Sequence, residues 1–354
     1  MTELPSDREQ VPTGGLLAVH AHPDDETLSN GALLATWAAA GRPVTVVTCT
    51  RGERGEVIPA GLRHLEGDHA ALAAHRELEL AAALAALGVT DHVLLDRVAV
   101  PHDPAGDAPA TQDRRFVDSG MAWAGAGRAT AAADVPADAF VRVALDDAAA
   151  RLAAVLRDRR PAVVVGYEPG GGYGHPDHVR AHQVLHRAVE LAASGPDGRR
   201  AAWRVPVVLW TVIEEEPWRS ALAELTAAVA AAPVKGATPS PTGTDGPDAA
   251  GGAGHPGRLA VARPDAPPSV VRAGPVDVRV PVAPVLDRVL AALGAHGTQV
   301  HAVARAADDG AAVARFALSN DVLQPVLREE TYVVAAGLAR DVDWPAAVTV
   351  VRPG

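Results

Sequence analysis

The feature that most restricts the fold of this chain is a repeated local pattern, in which short β-branched apolar runs are each followed by a longer stretch with helical spacing. The runs are Leu16 to His20, Val44 to Cys49, His92 to Leu95, Ala162 to Tyr167 and Pro206 to Val212. Continuous apolar runs of this length suit strands covered on both faces, as in parallel sheets. Between them, apolar periodicity predicts helices over Gly31 to Ala40 with Gly41 as the stop, Asp68 to Leu87 with Gly88, Phe140 to Arg159, and His178 to Ala193. This alternation predicts an α/β protein built on an open, doubly wound, mostly parallel sheet of Rossmann-like type.

From about Ala231 to Gly274 the chain turns to Pro, Gly, Ala, Ser and Thr with almost no large side chains. Such a stretch buries too little surface to offset the entropy of ordering it, and it reads as a flexible insertion. A helical stretch at Val285 to Leu293 and apolar segments at Ala314 to Leu318 and Tyr332 to Ala335 then return to the fold as a smaller α/β portion. The expected division is therefore a core over 13–230, an insertion over 231–274 and a carboxyl-terminal portion over 275–352.

Composition narrows the partners. A formal net charge of -11 disfavours nucleic acid and anionic membranes, both of which need a basic surface, and favours a small-molecule substrate. The single cysteine, Cys49, permits no intrachain disulfide and no Cys-rich zinc site, so any metal must be held by His and carboxylate. Met1 to Pro12 lacks the basic-then-apolar order of a signal peptide, and no run approaches the roughly 20 apolar residues of a membrane helix, so a cytoplasmic location is expected.

Two constellations carry chemistry. Leu16 to His20 runs into Ala21-His-Pro-Asp-Asp-Glu-Thr27 at a strand's carboxyl end, where open α/β sheets bind ligands. His22 and Asp25, three apart in a turn entering a helix, can face one cation while Asp24 points elsewhere as a free general base. Helix capping by the same Asp residues is the plain alternative, and it is compatible with metal binding. Three adjacent acids, Asp24, Asp25 and Glu26, repel one another and are most easily explained beside a cation.

The second constellation, Glu168-Pro-Gly-Gly-Gly-Tyr-Gly-His-Pro-Asp-His178, follows the run Ala162 to Tyr167 and again precedes a helix. It supplies the third ligand that a catalytic zinc needs, leaving one position open. His178 in the first helical turn is the expected ligand, with His175 free to serve the reacting carbonyl and Asp177 to orient it. Spacing alone lets His175 and His178 exchange roles. His182 and His186 continue from His178 at four-residue steps and offer another ligand pair, although a core-edge stripe is the plainer reading. The Gly-rich run lacks a Lys-Ser/Thr ending and so is not a phosphate cradle. His255-Pro-Gly lacks an acid and lies in the insertion. Single charges such as Arg76 and Asp118 read as ordinary surface residues. Two His and one carboxylate also describe the non-haem iron facial triad, but a βαβ pattern argues against its usual antiparallel barrel. A non-catalytic metal-binding module is a third reading.

Ala21-His-Pro-Asp-Asp-Glu-Thr-Leu-Ser-Asn-Gly31 together with Gly172-Tyr-Gly-His-Pro-Asp-His178 resembles the LmbE-like deacetylases related to the GlcNAc-phosphatidylinositol de-N-acetylases. Val47-Thr-Cys-Thr50, Gly55-Glu-Val-Ile58, Arg115-Phe-Val-Asp-Ser-Gly-Met121 and Phe316-Ala-Leu-Ser-Asn-Asp321 are similar to the branch of that family that removes acetate from N-acetylglucosaminyl-inositol in mycothiol biosynthesis. The resemblance implies an LmbE-type fold and zinc, or ferrous iron, on His22, Asp25 and His178, with Asp24 as general base. It implies oxyanion stabilisation by His175, Tyr173 over the scissile amide, and Arg76 and Asp118 on sugar or inositol hydroxyls, with Glu56 a weaker candidate for that pocket. The related mycothiol S-conjugate amidases carry a lysine shortly after the acidic motif, where this chain reads Leu28-Ser-Asn-Gly31. Departures from the pattern lie in Val98 to Thr111 and the insertion.

Overall fold

The computed structural model describes residues 14–99, 115–123, 128–195, 200–231, 259–265, 267–307 and 309–352. The amino-terminal dozen, 100–111 and His255 lie outside them. The chain opens with β1 (Leu16–His20), α1 (Asp25–Ala39), β2 (Val44–Thr48), α2 (His69–Leu87) and β3 (Asp91–Leu94). A small antiparallel pair, β4 (Met121–Trp123) and β5 (Ala129–Ala131), precedes α3 (Leu145–Arg159), β6 (Val163–Tyr167), α4 (Pro176–Ala193), β7 (Val207–Glu214) and α5 (Glu215–Ala231). Next come β8 (Ala260–Val261), β9 (Val271–Arg272), β10 (Val278–Pro281) and α6 (Leu286–Ala295). The chain ends with β11 (His301–Arg305), β12 (Ala312–Ala317), β13 (Val322–Leu327), β14 (Glu329–Gly337) and β15 (Thr349–Val350).

Parallel pairing runs in the order β3-β2-β1-β6-β7, so the chain winds outward from β1 to β3 and then returns to β6 on the other side of β1. That reversal leaves a crevice between the carboxyl ends of β1 and β6, and both sequence constellations follow these two strands. Beyond β7 the sheet continues through β14, β10 and β15 with antiparallel pairing, so a doubly wound parallel part sits in a mixed sheet. A second sheet, β11-β12-β13-β8, joins three strands of the carboxyl-terminal portion to β8 from the stretch before it.

Side-chain alternation explains why β1 is apolar on both faces up to its last residue, His20. Leu16 and Ala18 pack with Leu33, Leu34 and Trp37 of α1, Leu80 of α2 and Val289 of α6. Leu17 and Val19 pack on the other face with Leu152 of α3 and Val184 and Leu185 of α4. Successive residues of a strand point to opposite faces, so covering both with helices demands apolar residues throughout. Each such fully buried Leu contributes about 1.5–3 kcal/mol.

Several boundaries differ from expectation. The first helix starts at Asp25, well before Gly31. Asn30 is tolerated inside it because its buried amide donates to Thr211 Oγ1 at 2.8 Å and to Tyr332 Oη at 3.2 Å. The third begins at Leu145, since Phe140–Arg142 forms only a 3₁₀ turn. The unexpected α5 was legible in the helical spacing of its buried Trp218, Ala221, Leu222 and Leu225, with Pro217 suited to a first turn. β8 and β9 fall inside the stretch read as an insertion, where they pair with β13 and β7. No helix among the described residues is long and apolar enough to cross a membrane.

Candidate metal centre and active site

The turn after β1 places its acids through an unusual backbone. Asp24, the residue before α1, has φ 112°, left-handed territory that side chains other than glycine rarely adopt, at about 1–3 kcal/mol of strain. Its carbonyl accepts the N–H groups of Thr27 and Leu28, and its own N–H donates to Glu26 Oε2 at 3.0 Å. One carboxylate oxygen, Oδ2, takes Arg76 Nη2 at 3.2 Å. The turn thereby separates Asp24 from Asp25, whose Oδ2 lies 3.3 Å from His22 Nδ1 and 3.2 Å from His178 Nε2.

The second constellation is fixed by the start of α4. His175 is its N-cap, and its Nδ1 accepts the Asp177 backbone N–H at 3.1 Å. An acceptor Nδ1 leaves the proton of a neutral ring on Nε2, as a donor. His178 has the opposite tautomer: its Nδ1 lies 3.1 Å from the Gly171 carbonyl and must donate to it, so Nε2 presents a bare lone pair. That Nε2 is buried, accepts from no donor among the described residues and faces Asp25 Oδ2 at 3.2 Å. A buried lone pair without a donor is what a metal ligand requires, and the second-nitrogen bond to a carbonyl is the usual support for one.

His22 is held in the same manner. Its Nε2 lies 3.2 Å from Asp177 Oδ2 and 3.6 Å from Asp118 Oδ1, which leaves Nδ1 toward Asp25. Asp177 is itself fixed by Ser119, whose N–H and Oγ donate at 2.9 Å and 2.5 Å. The carboxylate of Asp177 therefore orients His22, not His175 as the sequence suggested; only its backbone N–H reaches His175. One ligand atom each of His22, His175 and His178 also falls within 4.8 Å of the others, as does one each of His22, Asp118 and Asp177. The tautomer of His175 argues against the first grouping; in the second, both oxygens of Asp118 and of Asp177 already accept donors, whereas Asp25 accepts one backbone N–H, from His22. His22, Asp25 and His178 fit a divalent cation best.

Electrostatics agree with a cation site. Burial disfavours charge on His22, but Asp118, Asp177 and Asp25 together hold its imidazolium well above the usual range. Asp25 is also buried, yet His178 and His22 push its carboxyl well below normal. His175 is driven well down by burial and by its two imidazole neighbours, which keeps it neutral. Burial raises Asp24 to about 6 against the opposing pull of Arg76.

All the expected residues but one gather here. Arg76 is 3% exposed and donates to the carbonyls of Pro23 and Gly52 as well as to Asp24, so it ties the turn after β1 to the segment after β2. Asp118 accepts the N–H groups of Gly120 and Arg54 beside His22. Tyr173 sets its ring edge-on to His178, centroids 5.0 Å apart. Glu56 instead has an exposed side chain, and its backbone carbonyl accepts from Gln299. His182 donates to the Tyr167 carbonyl through Nδ1, and His186 accepts from Trp210 Nε1.

Sequence reasoning missed several supports. Tyr167 stacks on His178 with centroids 4.3 Å apart and accepts the Ala21 N–H at 3.0 Å. Glu168 accepts the N–H groups of Gly170 and Gly172 and the hydroxyl of Ser269, tying down the Gly-rich loop. His296 reaches Glu26 from the carboxyl-terminal portion. Only Glu168 stood within a motif; the others meet the site through long-range contacts. A cavity of about 230 Å³ opens beside Asp25, His178 and Tyr173, with Ser29, Asn320 and Gln324 among its polar groups and Trp218, Val289 and Phe316 among its apolar walls.

Residues 17–189 match the family described as GlcNAc-PI de-N-acetylase (PIG-L). A 1D-myo-inositol 2-acetamido-2-deoxy-alpha-D-glucopyranoside deacetylase from Kineococcus radiotolerans is 43% identical over 330 residues, covering 92% of this chain and 78% of that protein. Proteins of the same description from Kribbella flavida and Nocardia farcinica are 38% identical over 342 residues and 41% over 331. The first alignment covers 96% of this chain and 95% of its relative, the second 92% and 91%. With the two motifs joined in one site and identity at this level along nearly its whole length, the chain belongs to the GlcNAc-PI de-N-acetylase (PIG-L) family.

Proposed function

We propose that this protein is a zinc-dependent deacetylase that hydrolyses the acetamide of 1D-myo-inositol 2-acetamido-2-deoxy-alpha-D-glucopyranoside to the free amine and acetate, in mycothiol biosynthesis. The observation that carries the chemistry is the bare Nε2 of His178 facing Asp25 and His22, with a separate carboxylate, Asp24, next to them. The substrate rests on the relatives, which carry that description over nearly the full chain. The cytoplasmic location expected from the sequence belongs to the same reading.

His22, Asp25 and His178 would hold the ion. A divalent cation bound there supplies Lewis-acid polarisation of the amide carbonyl and lowers the pKa of the attacking water. Asp24, with Oδ2 anchored on Arg76, takes the proton of that water as its oxygen bonds to the carbonyl carbon. His175 is neutral with its proton on Nε2, so it donates a hydrogen bond to the oxyanion, and Tyr173 covers the same centre. The carbon–nitrogen bond then breaks as the nitrogen receives a proton from Asp24 or His175, releasing amine and acetate.

Purified protein loaded with zinc or ferrous iron and offered this substrate should release a primary amine and acetate in equal amounts. A mycothiol S-conjugate assayed alongside tests the amidase alternative, against which Leu28-Ser29 stands in place of a lysine. Turnover of the conjugate without turnover of the sugar would overturn the assignment.

A further inference from the structure

We infer that His296, from the carboxyl-terminal portion, is a positioning residue for the base Asp24 and acts on it through Glu26. The inference rests on the role proposed for Asp24 above. His296 Nε2 lies 2.8 Å from Glu26 Oε1, and both side chains are 0% exposed. Thr27 Oγ1 donates to the same oxygen at 2.6 Å. The other oxygen, Oε2, accepts the backbone N–H of Asp24 at 3.0 Å. A single carboxylate thus has one end on the imidazole and the other on the peptide of the base.

The peptide needs that hold. Asp24 adopts φ 112°, and a residue in such a conformation keeps it only when its surroundings over-determine it. Its carbonyl is tied to the first turn of α1 and its carboxylate to Arg76, so the N–H is the third anchor. With Glu26 turned away, the peptide between Pro23 and Asp24 keeps only the bond from Arg76 to the Pro23 carbonyl, and the carboxylate gains freedom to move relative to His22 and Asp25. His296 prevents this by fixing the carboxylate of Glu26 from the opposite side.

Packing alone gives a weaker account of the pair. Joining α6 to α1 needs no buried charge, and apolar residues of the same volume generally hold two helices together as well as a buried ion pair does. Val289 and Leu293 already pack α6 into the core shared with α1. What an apolar pair cannot do is accept the Asp24 N–H.

The test compares His296→Ala, His296→Gln and Glu26→Leu in the full-length, metal-loaded protein, with His296→Ala also placed on an Asp24→Asn background. Turnover, KM, bound metal per chain and the thermal midpoint are measured for each. His296→Ala should lower kcat about 10- to 100-fold, the scale of a small misplacement of a reacting group, with KM and metal content near wild type. His296→Gln, whose amide N–H reaches the same Glu26 oxygen, should recover most of that loss. On Asp24→Asn the His296→Ala change should cause no further loss, because both act along one path. Should His296→Ala not fold, Glu26→Leu carries the same expectation, since leucine cannot accept the Asp24 N–H. Wild-type kcat with a lowered thermal midpoint assigns His296 to packing and overturns the inference, as does an undiminished second loss on Asp24→Asn. Full activity in Asp24→Asn by itself would instead defeat the role of Asp24.

Discussion

Arg76 Nη2 lies 3.2 Å from Asp24 Oδ2, an ion pair whose side chains are 4% and 13% exposed. Burial pushes the Asp24 carboxyl up to about 6, Arg76 pulls it down and the neighbouring Asp25 raises it again. A general base works deprotonated, so kcat/KM should be present above this region and fall as pH drops through about 6. A bound cation pulls in the same direction as Arg76, so variants must be compared with the same metal. Arg76→Met removes one favourable charge and should move the acid limb to higher pH, whereas Asp24→Asn should retain metal and lose about 10²–10⁴ in turnover. Rate profiles across the acid range check both, and an unmoved limb in Arg76→Met would count against the pairing.

The choice between the helix histidines is equally open to measurement. His178 carries the bare Nε2, while His182 lies a turn further along with Nδ1 at 2.9 Å from the Tyr167 carbonyl and its ring 4.5 Å from that of His186. His178→Ala should lose the metal, and His182→Ala should keep it. Metal analysis after gel filtration distinguishes them, and equal loss in the two variants would move the centre along α4.

Asp177 offers a prediction one step removed from the metal. It meets His22 Nε2 at 3.2 Å and is gripped by Ser119, so it selects the tautomer that leaves His22 Nδ1 bare. Removing such a support commonly weakens metal binding about 10–100-fold. Asp177→Asn should show a loss of that size in competition with a chelator, while Ser119→Ala should show a smaller one. Unchanged affinity in Asp177→Asn would falsify the orienting role.

How far the site was readable from sequence depended on distance along the chain. His22, Asp24 and Asp25 sit within one turn, and His175, Asp177 and His178 within another, so residue type and strand-end placement were enough to propose a shared centre. That the two turns flank one crevice follows from the strand order, which local patterns do not encode. Which atom of Asp177 meets which histidine depends on the approach of α4 to the turn after β1, and the sequence reading chose the wrong partner. His296 had no local signal, since its partner Glu26 is 270 positions away and the flanking residues form no motif. Of β14 only the apolar segment Tyr332 to Ala335 was legible, and β10 was not, because strands paired antiparallel within a mixed sheet are selected by their neighbours more than by their own composition.

The Gly-rich loop provides a contrast between adjacent glycines. Gly171 and Gly172 have φ +68° and +75°, so alanine at either position incurs a backbone penalty of about 1–2 kcal/mol. At Gly172 a Cβ meets nothing within 4 Å, whereas at Gly171 it would approach Val179 N at 2.7 Å and His178 Cβ at 2.9 Å. Those atoms belong to the first turns of α4, so relief at Gly171 must come from the loop moving away. Its carbonyl would then leave His178 Nδ1, now 3.1 Å away, and the bond that keeps Nε2 bare would weaken. Gly172→Ala should therefore lose only that modest stability and bind metal normally. Gly171→Ala should lose more stability and about tenfold or more in metal affinity. Denaturant midpoints and zinc titrations on the two proteins separate these effects. Wild-type affinity in Gly171→Ala would show that the carbonyl contact does not set the state of His178.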